Sequence, residues 1–178
     1  MKPRTEARIE NWLRAGRQRL AEGKYEDADS YLDRILAITH HSAALHLKGV
    51  TALQRGRAVE AVELLEAAIS TDDTQADYYC DLGTAYHAMR DLVPSEAAYR
   101  RALAIEPRHL TSAYNLANLL RERKLPQEAL KLYSPLLAQR PDHELAWNNC
   151  GLALLDLGKL DEARRCFAQA LQLNPGNL

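Results

Sequence analysis

The spacing of small and large apolar residues in Glu144–Asn177, ELAWNNCGLALLDLGKLDEARRCFAQALQLNPGN, is what most restricts the folds open to this chain. Trp147, Cys150, Gly151 and Leu154 fall at i, i+3, i+4 and i+7, one apolar stripe along one helical face. Gly158 interrupts the pattern, and a second stripe follows at Ala163, Phe167, Ala170 and Leu171 before Pro175. Two short amphipathic helices folded against each other satisfy this pattern. The small residues lie where the helices must approach closely, the large ones fill the gap, and the proline stops the second helix.

The pattern recurs at a fixed step of 34 residues. One step back stand Ala113, Leu116, Ala117 and Leu120, then Ala129, Tyr133, Leu136 and Pro141. A second step gives Tyr79, Leu82, Gly83 and Tyr86, then Ser95, Tyr99, Ala102 and Pro107. A third gives Leu45, Lys48, Gly49 and Ala52, then Ala61, Leu65, Ala68 and Asp73. The earliest copy is one residue short, with Trp12, Ala15, Gly16 and Arg19, then Ala28, Leu32, Ile35 and His40. Arg19 and Lys48 take apolar positions in these first two copies. The order of Trp, small residue, Ala, aromatic and Pro closely resembles the 34-residue tetratricopeptide repeat. The resemblance implies an all-α fold, a right-handed superhelical α-solenoid of antiparallel helix pairs. Repeats are expected at about 9–41, 42–75, 76–109, 110–143 and 144–177, after an N-terminal extension over 1–8.

An array of this kind has no single central core. Each hairpin buries its stripe by stacking on its neighbours, so three or more are needed and five suffice. A net charge of −1 without a basic cluster argues against a nucleic-acid partner. Cys80, Cys150 and Cys166 are odd in number and lack CxxC spacing, so neither a zinc site nor a disulfide frame is indicated, and by periodicity Cys150 and Cys166 read as small core residues in a reducing compartment. The N-terminus MKPRTEARIENWL has no apolar signal region, and no segment reaches the length of a membrane span. A cytoplasmic protein without membrane contact is expected.

Helices are predicted near Thr5–Glu22 and Tyr25–Ile38, Ala43–Arg55 and Ala58–Ser70, Asp77–Met89 and Pro94–Ile105. Thr111–Arg123 with Pro126–Gln139, and Glu144–Leu157 with Asp161–Leu173, complete the set. The turn inside each hairpin carries Gly23, Gly56 and Gly158 in repeats one, two and five, as a left-handed residue ending the first helix requires. Repeats three and four put Arg90 and Lys124 there, so either these adopt positive φ or their turn is built differently. Pro94 and Pro126 sit in or near first turns, where a missing N–H costs little. Pro135 lies inside a helix, four residues after Lys131, and is expected to remove one backbone bond and bend that helix.

No residue pattern here points to catalysis. His40, His41, His109 and His143 fall in turns between repeats, with no carboxylate or cysteine at ligand spacing, and read as solvent-exposed turn residues. No phosphate loop, nucleophile elbow or HExxH is present. The chain is therefore read as non-enzymatic, with no cofactor and no metal.

In each first helix the packing stripe faces the partner helix and leaves a second stripe free. In the tetratricopeptide family that second stripe lines a concave groove that binds extended peptides. Carried over, it contributes Arg14 and Arg17 from repeat one, His46 and Val50 from repeat two, and Asp77, Asp81, Thr84 and His87 from repeat three. Repeat four gives Tyr114, Asn115, Asn118 and Arg121, and repeat five Asn148 and Asn149. The clamp by which family members hold acidic chaperone tails is not matched, because Arg14 and Arg17 are isolated and Asp77 and Asp81 make the centre acidic. Asn115 and Asn149 occupy the same position in successive repeats, which resembles the asparagine ladder in the repeat arms of O-linked N-acetylglucosamine transferases. An amide both donates and accepts, which suits main-chain binding, although asparagine is also simply frequent at this position in the family. The resulting expectation is a protein-interaction scaffold for an extended peptide or partner helix. Its alternative is the scaffold arm of a larger enzyme or assembly. The last helix is expected to expose whichever of Cys166, Ala170, Leu171 and Leu173 a following helix would have covered, which suggests weak homodimerisation through that end.

Overall fold

The computed structural model describes residues 3–176. The outermost residues of the expected extension, 1 and 2, and residue 177 of the fifth repeat lie outside the described residues. Among the described residues every regular element is a helix. In chain order they are α1 (Pro3–Ala21), α2 (Tyr25–Leu36), α3 (Ser42–Gln54), α4 (Ala58–Thr71) and α5 (Ala76–Ala88). The remainder are α6 (Leu92–Ile105), α7 (Leu110–Glu122), α8 (Pro126–Gln139), α9 (Glu144–Asp156) and α10 (Leu160–Leu173). Every boundary lies within about two residues of the expected one, within the usual scatter of helix ends. Residues 3–8, expected as an extension, form the start of α1.

The chain divides into two compact units, residues 1–105 and 106–178. In the first, hairpins α1–α2, α3–α4 and α5–α6 bury the predicted stripes. Ile9, Leu32, Ile35, Ala44 and Leu47 form one cluster, completed by half-buried Trp12. Ala52, Ala61, Leu65, Leu82, Ala85 and Ala98 form a second. In the second unit, Leu116, Leu120, Tyr133 and Leu136 are almost wholly buried between α7 and α8. Each fully buried Leu or Ile contributes about 1.5–3 kcal/mol relative to an exposed one, so these stripes supply most of the favourable free energy. Close approach is visible at Gly83, where an added Cβ would lie 2.7 Å from the Tyr99 ring, and at Gly151, where it would lie 2.6 Å from Phe167.

All five hairpin turns are built alike. In the first, Gly23 N–H donates to Leu20 O and Lys24 N–H to Arg19 O. The same pair of bonds recurs from Gly56 and Arg57, Arg90 and Asp91, Lys124 and Leu125, and Gly158 and Lys159. These are the nested bonds of a helix ended by one left-handed residue. Gly23, Gly56 and Gly158 have φ of 71°, 74° and 73°, and Arg90 and Lys124 follow them at 63° and 62°. The open alternative is thus decided: Arg90 and Lys124 adopt positive φ, and the hairpin's packing holds them there against their own preference.

The two charges at apolar stripe positions are paired. Lys48 Nζ contacts Asp33 of α2, and Arg19 bonds Glu22 at 2.9 Å beside the first turn. Arg55 reaches back to Glu26 at 3.0 Å and Asp29 at 3.3 Å, so charge pairs lie along the edge where α3 meets α2. α8 runs unbroken through Pro135, whose side chain is exposed, so the lost bond faces solvent.

The fifth hairpin differs from expectation in its burial. Phe167, equivalent to Leu32, Leu65, Tyr99 and Tyr133, which are buried, is only half-buried, as is Trp147, and Leu171 is 40% exposed. The indole N–H of Trp147 donates to Pro141 O at 2.9 Å instead of sinking inward. Among the described residues no helix follows α10 to cover this face, whereas α3, α5 and α9 each pack on the helix before them.

Candidate functional site

The residues expected to line a binding face lie on the first helix of each hairpin, as the register requires. In the first unit, Arg14 and Arg17 are exposed on α1 and, with Glu10 and Leu13, border a hollow of about 310 Å³. His46 of α3 and Asp81 of α5 are brought together, with Nε2 and Oδ2 2.7 Å apart. The His46 ring also stacks on Tyr78, centroids 4.5 Å apart and planes 27° from parallel. Thr84 bonds the Cys80 carbonyl at 3.1 Å and the Tyr99 hydroxyl at 3.2 Å. Burial pushes that phenol up to about 12. Asp77 is exposed in the first turn of α5, while Val50 and His87 lie half-buried on α3 and α5.

The second unit repeats this geometry with amides. Asn149 of α9 donates from Nδ2 to the Tyr114 hydroxyl of α7 at 3.0 Å and to Asn118 Oδ1 at 2.8 Å. Asn118 Oδ1 also accepts the hydroxyl of Tyr133 from α8. Asn148 approaches Asn149 Oδ1 at 3.5 Å, the outer limit for such a bond. Asn115 and Arg121 are half-buried on α7. Arg121 Nε is buried with no hydrogen-bond partner. Burial raises the Tyr133 phenol well above its ordinary value, and the Arg121 charge opposes that rise. Three of the expected groove residues, Tyr114, Asn118 and Asn149, therefore form one polar network joining α7, α8 and α9 and are not independent side chains.

Two of the turn histidines have a role that the sequence reading missed. His109 Nδ1 accepts the Ser112 backbone N–H, and His143 Nδ1 that of Ala146, each at 3.2 Å. They cap α7 and α9, taking one of the first-turn donors that a helix leaves unpaired. Both are half-buried, which corrects the expectation of solvent-exposed turn residues. His143 also meets the ring of Tyr114, centroids 4.9 Å apart, and so lies against the amide network. Histidine is not a usual cap, but its recurrence at positions 109 and 143, just before two predicted helices, was the available signal.

Three tetratricopeptide repeat models match the chain, over residues 19–82, 80–144 and 144–177. The type IV pilus assembly protein PilF of Pseudomonas aeruginosa is 29% identical over 131 residues, covering 71% of this chain and 51% of PilF. The protein O-mannosyl-transferase TMTC3 of Homo sapiens is 35% identical over 91 residues, covering 50% of this chain and 10% of TMTC3. The chain thus spans about half of the first of these relatives and a tenth of the second. Among solved structures, MamA superposes with a TM-score of 0.81 at 24% identity over 90% of this chain and 94% of its own, a likeness of fold.

Proposed function

The chain belongs to the tetratricopeptide repeat family, and from that premise we propose that it is a non-catalytic scaffold taking an extended peptide along the first-helix face of its hairpins. The observation that carries this reading is the amide group of the second unit. Asn118 Oδ1 is filled by Tyr133 and Asn149, and both Nδ2 hydrogens of Asn149 are committed. The network thereby holds its side chains in one arrangement, with Asn115 and Asn148 half-buried on the same two helices. Asn115 and Asn148, on the two helices that this network ties together, present amides, which both donate and accept as a peptide backbone requires. The first unit, taken by itself, offers on its own first helices Arg14 and Arg17, which suit an acidic group on a ligand, and the exposed Asp77.

The test uses the full chain against a library of unstructured peptides. Asn115→Ala with Asn148→Ala, which spares the internal network, should weaken the selected peptide about tenfold, since two net hydrogen bonds are worth about 1–3 kcal/mol together. Unchanged affinity in a correctly folded variant would remove the amide face from the reading.

A second reading, that these hairpins are the scaffold part of a longer protein, is favoured by the fraction of PilF and TMTC3 that the match covers. We also propose weak homodimerisation through the last hairpin. Leu155, Leu160 and Leu171 are 42%, 62% and 40% exposed around a hollow of about 460 Å³ that Phe167 floors. Sedimentation at rising concentration tests it, and a monomer throughout would exclude it. Among the described residues no helix is long and apolar enough to cross a membrane. The proposed setting is the cytoplasm.

A further inference from the structure

Outside the first-helix face, α8, α9 and α10 border an open cavity of about 620 Å³ whose wall carries two thiols. Cys150 of α9 and Cys166 of α10 are 6% and 8% exposed, and their Sγ atoms are 3.9 Å apart. Two sulfurs this close on facing helices stand about 2 Å from the roughly 2.05 Å of an S–S bond. The cavity gives a small reagent a route to sulfurs that the helices otherwise cover. Its lining includes Lys159, Glu162 and Arg165, and Lys159 is paired to Glu162 at 3.2 Å. Arg165 adjoins Cys166 in sequence and places a cation where an anionic reagent would enter.

We propose that Cys150 and Cys166 form a reversible disulfide site, closed by thiol–disulfide exchange with a low-molecular-weight disulfide admitted through this cavity. The Cys166 thiolate attacks one sulfur of the reagent, expelling one thiolate and leaving a mixed disulfide on Cys166. Cys150, its proton lost to solvent in the cavity, then attacks Cys166 Sγ and expels the second thiolate. Two protein thiols are oxidised and one external disulfide is reduced to two thiols, so atoms and electrons balance. The order follows from the surroundings. Burial pushes Cys150 up to about 12. Burial also raises Cys166, but there the hydrogen bond between the two thiols and the Arg165 charge oppose it. The product ties α9 to α10 in the hairpin with the least covered face.

The experiment incubates the folded full chain with oxidised glutathione, removes the reagent, unfolds the chain in acid and then denaturant with an alkylating agent to block every remaining thiol, and maps peptides without reduction. The expected result is a Cys150–Cys166 linked peptide pair, with Cys80, in the other unit, as the one alkylated thiol of the three. Closure should quicken as pH rises, because both sulfurs react as thiolates. Cys150→Ser should stop at glutathione held on Cys166, and a dithiol should reverse the wild-type link. Alkylation of both Cys150 and Cys166 after incubation, or glutathione remaining on wild-type Cys166, would overturn the proposal. The wild-type map decides even where a variant fails to fold.

Discussion

His46 and Asp81 stand in the same relation as Tyr114 and Asn149. In both, a side chain on the first helix of one hairpin bonds a side chain 35 residues on, in the first helix of the next, at 2.7 and 3.0 Å. Such a bond links helices that otherwise touch sparingly, since each first helix packs chiefly on the second helices around it. The polar residues of the candidate face are thus also struts, and substitutions there test stability as well as recognition.

Asn118→Ala should therefore be destabilising. It leaves the hydroxyl of fully buried Tyr133 and one Nδ2 hydrogen of Asn149 without their acceptor, a loss of about 1–3 kcal/mol. Adding Tyr133→Phe, which removes the orphaned hydroxyl, should restore part of it. Urea unfolding of the two single variants and the double variant decides, and strict additivity would show that the bond carries no coupling.

Lys124→Gly should raise stability by about 0.5–1 kcal/mol. Relief of a left-handed non-glycine residue is worth about 1–2 kcal/mol, and the greater freedom of glycine in the unfolded chain takes back part. An unchanged or lower urea midpoint would show that the side chain contributes more than its backbone costs.

Gly83→Ala sets two effects against each other. Alanine gains about 1 kcal/mol of helix propensity, while overpacking costs about 1–3 kcal/mol. Tyr99 is 3% exposed and its ring lies 2.7 Å from the new Cβ, so overpacking should win. Combining the change with Tyr99→Leu should relieve the clash, and thermal melts of the three variants would show whether it does.

Acid should destabilise the fold partly through His41. Burial, and then the Arg17 charge, hold its pKa below the ordinary 6.5, so the folded state favours the neutral ring. The unfolded chain takes up the proton first as pH falls. The contribution is then complete above 6.5 and is lost as pH falls through 6.5 toward the lowered folded value. His41→Gln should shrink the difference in urea midpoint between mildly alkaline and mildly acidic buffer, and an equal difference would assign the acid sensitivity elsewhere.

The helices and their pairing were legible because one periodicity, punctuated by glycine and proline, repeats in register from Trp12 to Pro175. What escaped depends on neighbours. Arg90 and Lys124 occupy a conformation that local preference opposes by only about 1–2 kcal/mol, a margin the surrounding hairpin overrides. Trp147 and Phe167 fit the stripe, yet a residue in a repeat is buried only as far as the adjoining helices cover it. The candidate positions on the first helices could be placed by register. That Asn149 would spend its hydrogens on Tyr114 and Asn118 could not, because such bonds depend on rotamers chosen across two helices.

The unequal covering of the first and last hairpins gives the array a direction of growth. On α1, Arg4, Arg8, Asn11 and Gln18 are exposed, so a hairpin grafted ahead of it would strand charge beneath a new interface. On α10, Leu160, Leu171 and Leu173 are 62%, 40% and 39% exposed, a template on which an added hairpin of the same pattern would find its apolar stripe already matched. Extension by design should accordingly succeed after α10 and fail before α1.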